Sequence, residues 1–427
     1  MQDTRPESDT ESPRDCGQSL KTASDRSRLA LIAALVLVSV NLRPMLTGLG
    51  PVLDSIRDSL ALSGAAIGML ITLPVLCFGA FAPFVPRLLR FTSPERLILI
   101  ALGVLVLGIG LRSLFGTAGL FLGTLVGGAS ISVIMVILPS IIKQRFPSQA
   151  GMMMGVYSTA LCIGAAIAAG AAVPLENALG GWRWSLAFWL FPVAAAMLVW
   201  LRHIPPAQRH AARKKTQQLP RLRGNKLAWQ VTLLMGLQSS ITYCVFGWLA
   251  VILIDRGLPP LTAGFVLSLT LAVQLVSSPI APWLATRGKD QRFTTLCLLG
   301  FTFTGLMMTF YAPISWVWAA GAIMGLGLGG VFSIALALLV LRSPNAQVAA
   351  ALSGMAQGVG YTIAAIAPLV MGLLHEFTGS WNAVAALFVL LVLSSAYFAL
   401  GAGQARLIQI DGKNADGAGA AQPVPKR

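Results

Sequence analysis

Long apolar runs, each of about 20 residues, dominate this sequence and are separated by short charged segments. The first run, Leu29 to Leu49, carries a single charge, at Arg43. A run of roughly 20 apolar residues has the length that a helix needs to cross the hydrocarbon core of a membrane. Backbone groups in lipid must be hydrogen-bonded internally, and these runs are too long for barrel strands. The sequence therefore predicts an all-α membrane protein.

Charged or turn-rich breaks divide the chain into twelve apolar runs. The first six are Leu29–Gly50, Ala65–Phe84, Leu97–Phe115, Ala118–Ile142, Gly151–Val173 and Trp184–Leu201. The second six are Leu227–Leu253, Ala263–Ala285, Phe293–Tyr311, Ser315–Leu341, Ala350–His375 and Trp381–Gly401. Only 11% of the residues are charged, against about 25% in soluble domains. We therefore expect twelve transmembrane helices.

Lys and Arg residues cluster in alternate breaks between the runs. One side of the membrane would carry both terminal segments and the long central segment, with most of the basic residues. Because Lys and Arg favour the cytoplasmic face, both termini are predicted to be cytoplasmic. The net charge of +16 is then a topology signal, and no nucleic-acid partner is expected. Residues 1–28 and 402–427 are predicted to be disordered cytoplasmic tails, and residues 202–226 a cytoplasmic linker.

An internal repeat relates the two sets of six runs. The segment GVYSTALCIGAAIAAGAAVPLENALGGWRWSLA, from Gly155, aligns without a gap with GMAQGVGYTIAAIAPLVMGLLHEFTGSWNAVAA, from Gly354. Both segments contain the same Gly-x-Trp spacing, which argues against a chance match based on small residues alone. Repeated halves are typical of transporters that alternate access. We expect two pseudo-symmetric six-helix bundles, residues 29–201 and 227–401.

Other classes of membrane protein lack their signals in this sequence. The five cysteines and three histidines show no metal-site spacing, so no metal or cofactor is expected. A polytopic membrane enzyme is the alternative from a different class, but no HxxxD or Ser-His-Asp grouping supports it. A nucleotide-driven pump would need a GxxxxGK[ST] loop, which is absent. The expected protein is a monomer in membrane lipid that binds a small-molecule solute.

Three segments give the chain a family resemblance. They are NLRPMLTGLGPVLDSIRDSLALS from Asn41, LPVLCFGAFAPFVPRL from Leu73 and SGMAQGVGYTIAAIAPLVMGLLHEFTGSW from Ser353. These segments resemble the cyanate and 2-nitroimidazole transporter family of the major facilitator superfamily. The resemblance implies the superfamily fold and a bacterial cytoplasmic (inner) membrane location. It also implies secondary transport of a cyanate-like anion or a nitroimidazole-like heterocycle by alternating access. A multidrug or other metabolite exporter of the same superfamily is the alternative.

Arg43 is the leading candidate for solute binding. It lies about 14 residues, roughly 21 Å, into the first run. An arginine there costs on the order of 3 kcal/mol and usually faces a cavity or a partner. No Asp or Glu lies within a predicted span, so an anion or an acceptor-rich solute would complement the guanidinium. The alternative is that Arg43 snorkels to the outer interface.

Polar residues within the predicted spans complete the candidate site. They are Asn41, Thr72, Tyr157, Gln238, Tyr243, Trp248, Gln274, Gln357 and Tyr361. Gln238 and Thr242, like Gln357 and Tyr361, are four positions apart and share a helix face. Each amide is either a ligand contact or an interhelical hydrogen bond, and Trp248 either bounds the cavity or belongs to an interfacial aromatic belt. Because no Asp or Glu lies within a predicted span, the sequence shows no buried proton relay. Uniport and exchange both stay open as transport mechanisms.

Overall fold

Twelve membrane helices, labelled α1 to α12, form the fold of the described residues. The computed structural model describes residues 28–203 and 222–409. The first six helices are α1 Arg28–Val52, α2 Gly64–Phe81, α3 Pro94–Leu114, α4 Gly116–Arg145, α5 Ala150–Leu179 and α6 Trp182–Leu201. The others are α7 Lys226–Asp255, α8 Pro260–Arg287, α9 Arg292–Tyr311, α10 Val317–Leu341, α11 Ala346–Thr378 and α12 Trp381–Ala402. The predicted all-α architecture is confirmed.

The helices satisfy the length and composition that a membrane span requires. Within the described residues, 11 helices are long and apolar enough to cross a membrane. The helix that does not meet this criterion is α2. The apolar stretch that begins inside it, Thr72–Leu88, is shorter than the other 11 spans. Short helical turns continue α2 as far as Leu88. The chain therefore has 11 to 12 spans, in agreement with the count from the sequence.

The predicted and observed helix limits differ where the chain contains proline. The fifth run was predicted to end at Val173, before Pro174, yet α5 continues to Leu179 with Pro174 inside it. Proline removes one backbone hydrogen bond, and membrane helices tolerate this loss because neighbouring groups satisfy the freed carbonyl. In α1, by contrast, the helix does not continue through the proline. It is interrupted at residues 41–43, immediately before Pro44.

The repeated Gly-x-Trp motif has the same structural role in both halves. Gly180 ends α5 with φ 79°, and Gly379 ends α11 with φ 58°, a left-handed conformation that favours glycine. The tryptophan two positions later begins the next helix. Trp182 Nε1 donates to Ser59 Oγ at 2.8 Å, and Trp381 Nε1 donates to Asp255 Oδ2 at 3.1 Å. The internal repeat is therefore a repeat of structure.

Two arginines, the partly buried Arg256 and the buried Arg342, bind backbone carbonyls at the ends of helices. Arg256, after α7, donates from Nη2 to the carbonyl of Ala312 at 2.6 Å and from Nη1 to that of Thr309, at the end of α9. Arg342, after α10, donates from Nε to the carbonyl of Ala402 at the end of α12, at 2.7 Å. The last carbonyls of a helix lack intrahelical donors. These arginines therefore tie helix ends together within the second half.

Two helix pairs join the halves, and the internal repeat relates one pair to the other. α5 of the first half packs on α8 of the second, and α11 of the second packs on α2 of the first. A β-carbon at Gly155 of α5 would lie 3.6 Å from Pro282 of α8, and one at Gly354 of α11 would lie 2.9 Å from Pro86, just after α2. The distance at Gly155 is an ordinary contact, whereas at Gly354 the absence of a side chain lets the halves approach closely.

The interior is closed at one end, which we call the basic end because Arg87 and Arg287 lie there. A β-carbon at Gly151 of α5 would lie 2.7 Å from Cγ2 of Thr286, at the end of α8. Within the described residues, the hydrogen bonds and close glycine contacts that join the halves lie at this end or at mid-bundle. The structure is therefore a state closed at the basic end.

The predicted tails and linker lie largely outside the described residues. Their assignment, with the domain limits 29–201 and 227–401, stays a prediction. The described part of the last segment, residues 402–409, packs onto the basic end. The backbone N–H of Ile408 donates to the carbonyl of Arg342 at 2.9 Å, and the Ile408 side chain is buried. Asn225 Nδ2 donates to the carbonyl of Gln409 at 3.1 Å.

Candidate functional site

The interruption of α1 presents Arg43 to the centre of the bundle. Arg43 is the last residue before the helical turn Pro44–Thr47, and its side chain is partly buried. Asn41 stabilises the interruption, because its Nδ2 donates to the carbonyl of Leu37 at 2.8 Å and to that of Pro192 in α6 at 3.2 Å. Arg112 of α3 donates from Nη1 to the carbonyl of Met45 at 2.5 Å. Side chains of α1 and α3 thus bind carbonyls on both sides of Arg43.

A cavity with a volume of about 30 Å³ lies between the two halves, and the Arg43 side chain lines it. Its other lining residues are Cys162, Ser239, Thr242, Tyr243, Phe246, Gln274, Phe332 and Tyr361. The guanidinium lies over the ring of Phe332 in α10, 5.3 Å from the centroid. The lining residues come from α1 and α5 of the first half and from α7, α8, α10 and α11 of the second, so both halves build the site.

Buried polar atoms around Arg43 have no hydrogen-bond partner among the described residues. They are Arg43 Nε, Gln274 Nε2 and the hydroxyls of Tyr157 and Tyr361. The ionisable groups that interact with the guanidinium are Tyr243, Tyr361, Cys162 and Tyr157. None of these is a carboxylate. An unpaired buried polar atom costs about 1–3 kcal/mol, and a charged one costs more. The site therefore suits a ligand that brings negative charge and hydrogen-bond acceptors.

Aromatic rings give the cavity flat apolar walls. The ring of Tyr243 lies edge-on to that of Tyr361, with centroids 6.5 Å apart, and to that of Phe246 at 6.2 Å. Tyr361 also lies edge-on to Phe78 of α2 at 5.5 Å. Such edge-to-face pairs hold the rings in defined orientations. The walls therefore favour a planar ligand.

Five of the ten predicted site residues lie at or beside this cavity. Arg43, Tyr243, Gln274 and Tyr361 line it. Tyr157 interacts electrostatically with Arg43, and it lines a neighbouring void of about 10 Å³ together with Ser39 and Leu138. These residues come from five different helices, α1, α5, α7, α8 and α11. The fold brings them together although the sequence separates them widely.

The amides of Gln238 and Gln357 make protein contacts instead of lining the cavity. Gln238 Nε2 donates to Ser239 Oγ at 2.8 Å, and Ser239 in turn lines the cavity. Gln357 Nε2 donates to Ser353 Oγ at 2.6 Å and to the carbonyl of Met135 in α4 at 2.9 Å. The bond from Gln357 to Met135 joins α11 of the second half to α4 of the first. Gln357 is therefore a contact between the halves in this closed state.

The remaining three predicted residues lie away from the cavity. Asn41 binds carbonyls of α1 and α6, as described above. Thr72 Oγ1 donates to the carbonyl of Met69, one turn earlier in α2, at 3.2 Å. Trp248 Nε1 donates to the carbonyl of Pro368 in α11 at 3.2 Å. Its ring lies edge-on to Trp381, with centroids 6.2 Å apart, so Trp248 packs α7 against α11 and α12.

Cys162, Phe246 and Phe332 line the cavity without having been predicted. A thiol and two phenyl rings within apolar spans carry no polarity signal that would separate them from lipid-facing residues. The repeat does carry a signal, because Cys162 and Tyr361 are 199 positions apart, as are Arg43 and Thr242. The alignment of Gly155 with Gly354 has the same offset. If this offset is applied to α1 and α7, Thr242 is the counterpart of Arg43 and is therefore expected at the site. By the same offset Cys162 is the counterpart of Tyr361 and is expected there too.

Comparison with known proteins identifies the family. The sequence profile of the Major Facilitator Superfamily matches residues 29–365. The chain belongs to this superfamily. It is therefore a transporter and not an enzyme, and the resemblance predicted from three segments is confirmed at the level of the superfamily.

Relatives of similar length come from bacteria. The chain is 37% identical over 386 residues to the uncharacterized transporter YycB of Bacillus subtilis (strain 168), covering 88% of this chain and 94% of YycB. It is 36% identical over 405 residues to the 2-nitroimidazole transporter of Escherichia coli (strain K12), covering 92% of this chain and all of that protein. It is 29% identical over 353 residues to the cyanate transport protein CynX of the same strain, covering 82% and 91%. This chain is therefore a multi-pass membrane protein with bacterial relatives.

Solved structures of the superfamily share the fold. The proton:xylose symporter XylE superimposes with a TM-score of 0.70 at 12% identity, covering 87% of this chain and 94% of XylE. FucP in its outward conformation gives a TM-score of 0.67 at 15% identity, covering 87% and 98%. The major facilitator fold, with two six-helix halves, is thereby confirmed.

The positions of Gln274 and Gln357 predict different kinetic effects for this transporter. Gln274→Met should raise the KM for the solute about three- to tenfold, because one cavity hydrogen bond is lost. Gln357→Met should change the maximal rate and leave KM nearly unchanged, because Gln357 joins the halves outside the cavity. Initial uptake rates in proteoliposomes, measured over a range of solute concentrations, separate the two. An equal rise in KM for both variants would contradict the placement of Gln357 outside the binding site.

Proposed function

We propose that this secondary transporter carries a small, linear, singly charged anion of the cyanate type, with a planar nitroimidazole-like heterocycle as the second candidate. The carrying observation is the Arg43 guanidinium at the centre of the bundle, which is partly buried and has no ion-pair partner within residues 28–203 and 222–409. A buried charge without a partner is costly, and a bound anion removes that cost. Aqueous solutes of this kind would cross the membrane by alternating exposure of the cavity.

The shape and chemistry of the cavity match this class of solute. One cation complements one negative charge. The unpaired donors of Gln274 and Tyr361 complement the acceptor atoms of the solute. A volume of about 30 Å³ accommodates about two to three water molecules at about 10–15 Å³ each, which suits an anion of about three heavy atoms. A heterocycle would need the rings of Tyr243 and Tyr361 to move apart.

Two relatives support the same choice of solutes. The 2-nitroimidazole transporter is 36% identical to this chain and the cyanate transport protein is 29% identical. Cyanate is linear and 2-nitroimidazole is planar, and both are rich in acceptor atoms. The guanidinium complements the acceptor atoms of either solute, and only the smaller one fits the cavity without movement of the rings.

Charge distribution supports a location in the bacterial cytoplasmic membrane with both termini inside. The basic end carries Arg87, Arg287 and Lys289, and basic residues favour the cytoplasmic face. The structure is closed at this end. In this orientation the closed end faces the cytoplasm.

Counterflow in proteoliposomes tests the proposed solutes without knowledge of the driving ion. Vesicles loaded with unlabelled cyanate or 2-nitroimidazole are diluted into trace labelled solute, and protein-free vesicles serve as the control. We expect saturable accumulation of label that other small anions inhibit. Saturable transport of apolar cations alone would instead favour the exporter alternative, and the absence of saturable counterflow with both solutes would refute the proposal.

A further inference from the structure

A groove between α8 and α9 lies apart from the Arg43 cavity. Its volume is about 480 Å³, and its walls include Ile280, Leu284, Phe293, Cys297 and Phe301, with Leu326 of α10 at its base. α8 and α9 each pack extensively on α10 but touch each other very little. The gap between the two helices is the groove.

The groove opens sideways, toward the lipid that surrounds a membrane helix. Phe293 is 79% exposed and Phe301 is 47% exposed, although both are large and apolar. Residues Ile280 and Leu284 of α8 are also exposed. In a membrane protein such surfaces contact hydrocarbon chains and not water. An occupant of the groove must therefore be apolar along most of its length.

Positive charge lies at the end of the groove where α8 finishes. Arg287 lines the groove, and its guanidinium stacks on the exposed ring of Trp283, 3.6 Å from the centroid. Lys289, two residues later, is exposed. The nearby carboxylate of Asp290 is bound by Arg292 at 3.2 Å, and no ion pair with Arg287 occurs in the described part of the chain. The basic side chains at this end can therefore receive an anionic group.

We propose that this groove binds one anionic phospholipid, with an acyl chain between α8 and α9 and the phosphate at Arg287 and Lys289. The apolar walls match the chain, and the charge at one end matches an anionic headgroup. An arginine beside an exposed tryptophan is typical of the interface where headgroups lie. Basic residues there attract anionic lipid with about 1 kcal/mol each. This site is independent of the solute that the Arg43 cavity takes.

Native mass spectrometry of the full chain, purified from bilayers of equal phosphatidylglycerol and phosphatidylcholine, tests the proposal. The wild type should retain phosphatidylglycerol in preference to phosphatidylcholine. Arg287→Gln should lower that preference about fivefold. Arg87→Gln is the matched control, since Arg87 lies over Phe84 near the corresponding end of the first half, 5.7 Å from the ring centroid, but does not line the groove.

A second pair of variants tests the apolar part of the site without changing charge. Cys297→Trp fills the groove and should reduce the retained phosphatidylglycerol, whereas Leu393→Trp, on an exposed position of α12, should not. Counterflow by all four variants is expected to stay near the wild-type rate, which separates this site from the Arg43 cavity. Equal losses in the Arg287 and Arg87 variants, or equal retention of the two lipids by the wild type, would overturn the proposal.

Discussion

Replacement of Arg43 by Gln is expected to lower solute transport at least about 30-fold and, at the same time, to stabilise the protein. Removal of one member of a buried charge pair costs about 2–5 kcal/mol of binding free energy. In the described structure the guanidinium lies over the ring of Phe332, and no carboxylate pairs with it within residues 28–203 and 222–409. A bound anion would supply the counter-charge. Transport should therefore depend on Arg43 directly.

The expected gain in stability follows from the same geometry. Arg43 Nε is buried and has no hydrogen-bond partner among the described residues. A central arginine in a membrane helix costs on the order of 3 kcal/mol, and a neutral amide removes part of that cost. We expect the free energy of unfolding to rise by about 1 kcal/mol or more. A residue that lowers stability and supports activity is typical of a functional site.

Counterflow and thermal unfolding of the same purified samples measure both effects. Arg43→Lys should give intermediate transport, since it keeps the charge and loses the planar donor arrangement. Thr242→Val is the matched control, because Thr242 lines the same cavity 199 positions away, and less than about a threefold change is expected there. Loss of transport together with lower stability in Arg43→Gln would assign Arg43 a structural role instead.

Replacement of Gly164 by Ala is expected to destabilise the protein by about 3 kcal/mol or more. Gly164 of α5 faces Val40, which directly precedes the interruption of α1. A β-carbon at Gly164 would lie 2.8 Å from the carbonyl carbon of Val40 and closer still to its oxygen. Because both partners are backbone, neither can rotate away. α1 must then shift, and Arg43 shifts with it.

Gly170 is the matched control for this prediction. It lies in the same helix, and no atom lies within 4 Å of a β-carbon built there. Gly170→Ala should therefore raise the stability by up to about 1 kcal/mol, the ordinary gain when alanine replaces glycine in a helix. Thermal unfolding in detergent, followed by size-exclusion chromatography, compares the two variants. Equal melting temperatures would contradict the close contact between α1 and α5.

Hydropathy and charge are local properties, and they were sufficient to predict the helices, the repeat and the position of Arg43 within the first span. The positions of Gln238 and Gln357 required more. Both amides lie in spans beside residues that line the cavity, yet one binds Ser239 and the other binds the carbonyl of Met135. Which way a side chain faces depends on the rotation of its helix. A membrane helix that is apolar all round carries little sequence information about that rotation.

The sequence by itself determined a helical membrane protein with two related halves and one cation inside the membrane, because apolar length and charge position need no tertiary information. Only the tertiary structure decided what surrounds that cation. Phe332 and Cys162 reach Arg43 because close glycine contacts, such as Gly164 with Val40 and Gly354 with Pro86, set how near and at what rotation the helices pack. The cavity is a product of this packing, and packing joins residues that no local pattern connects.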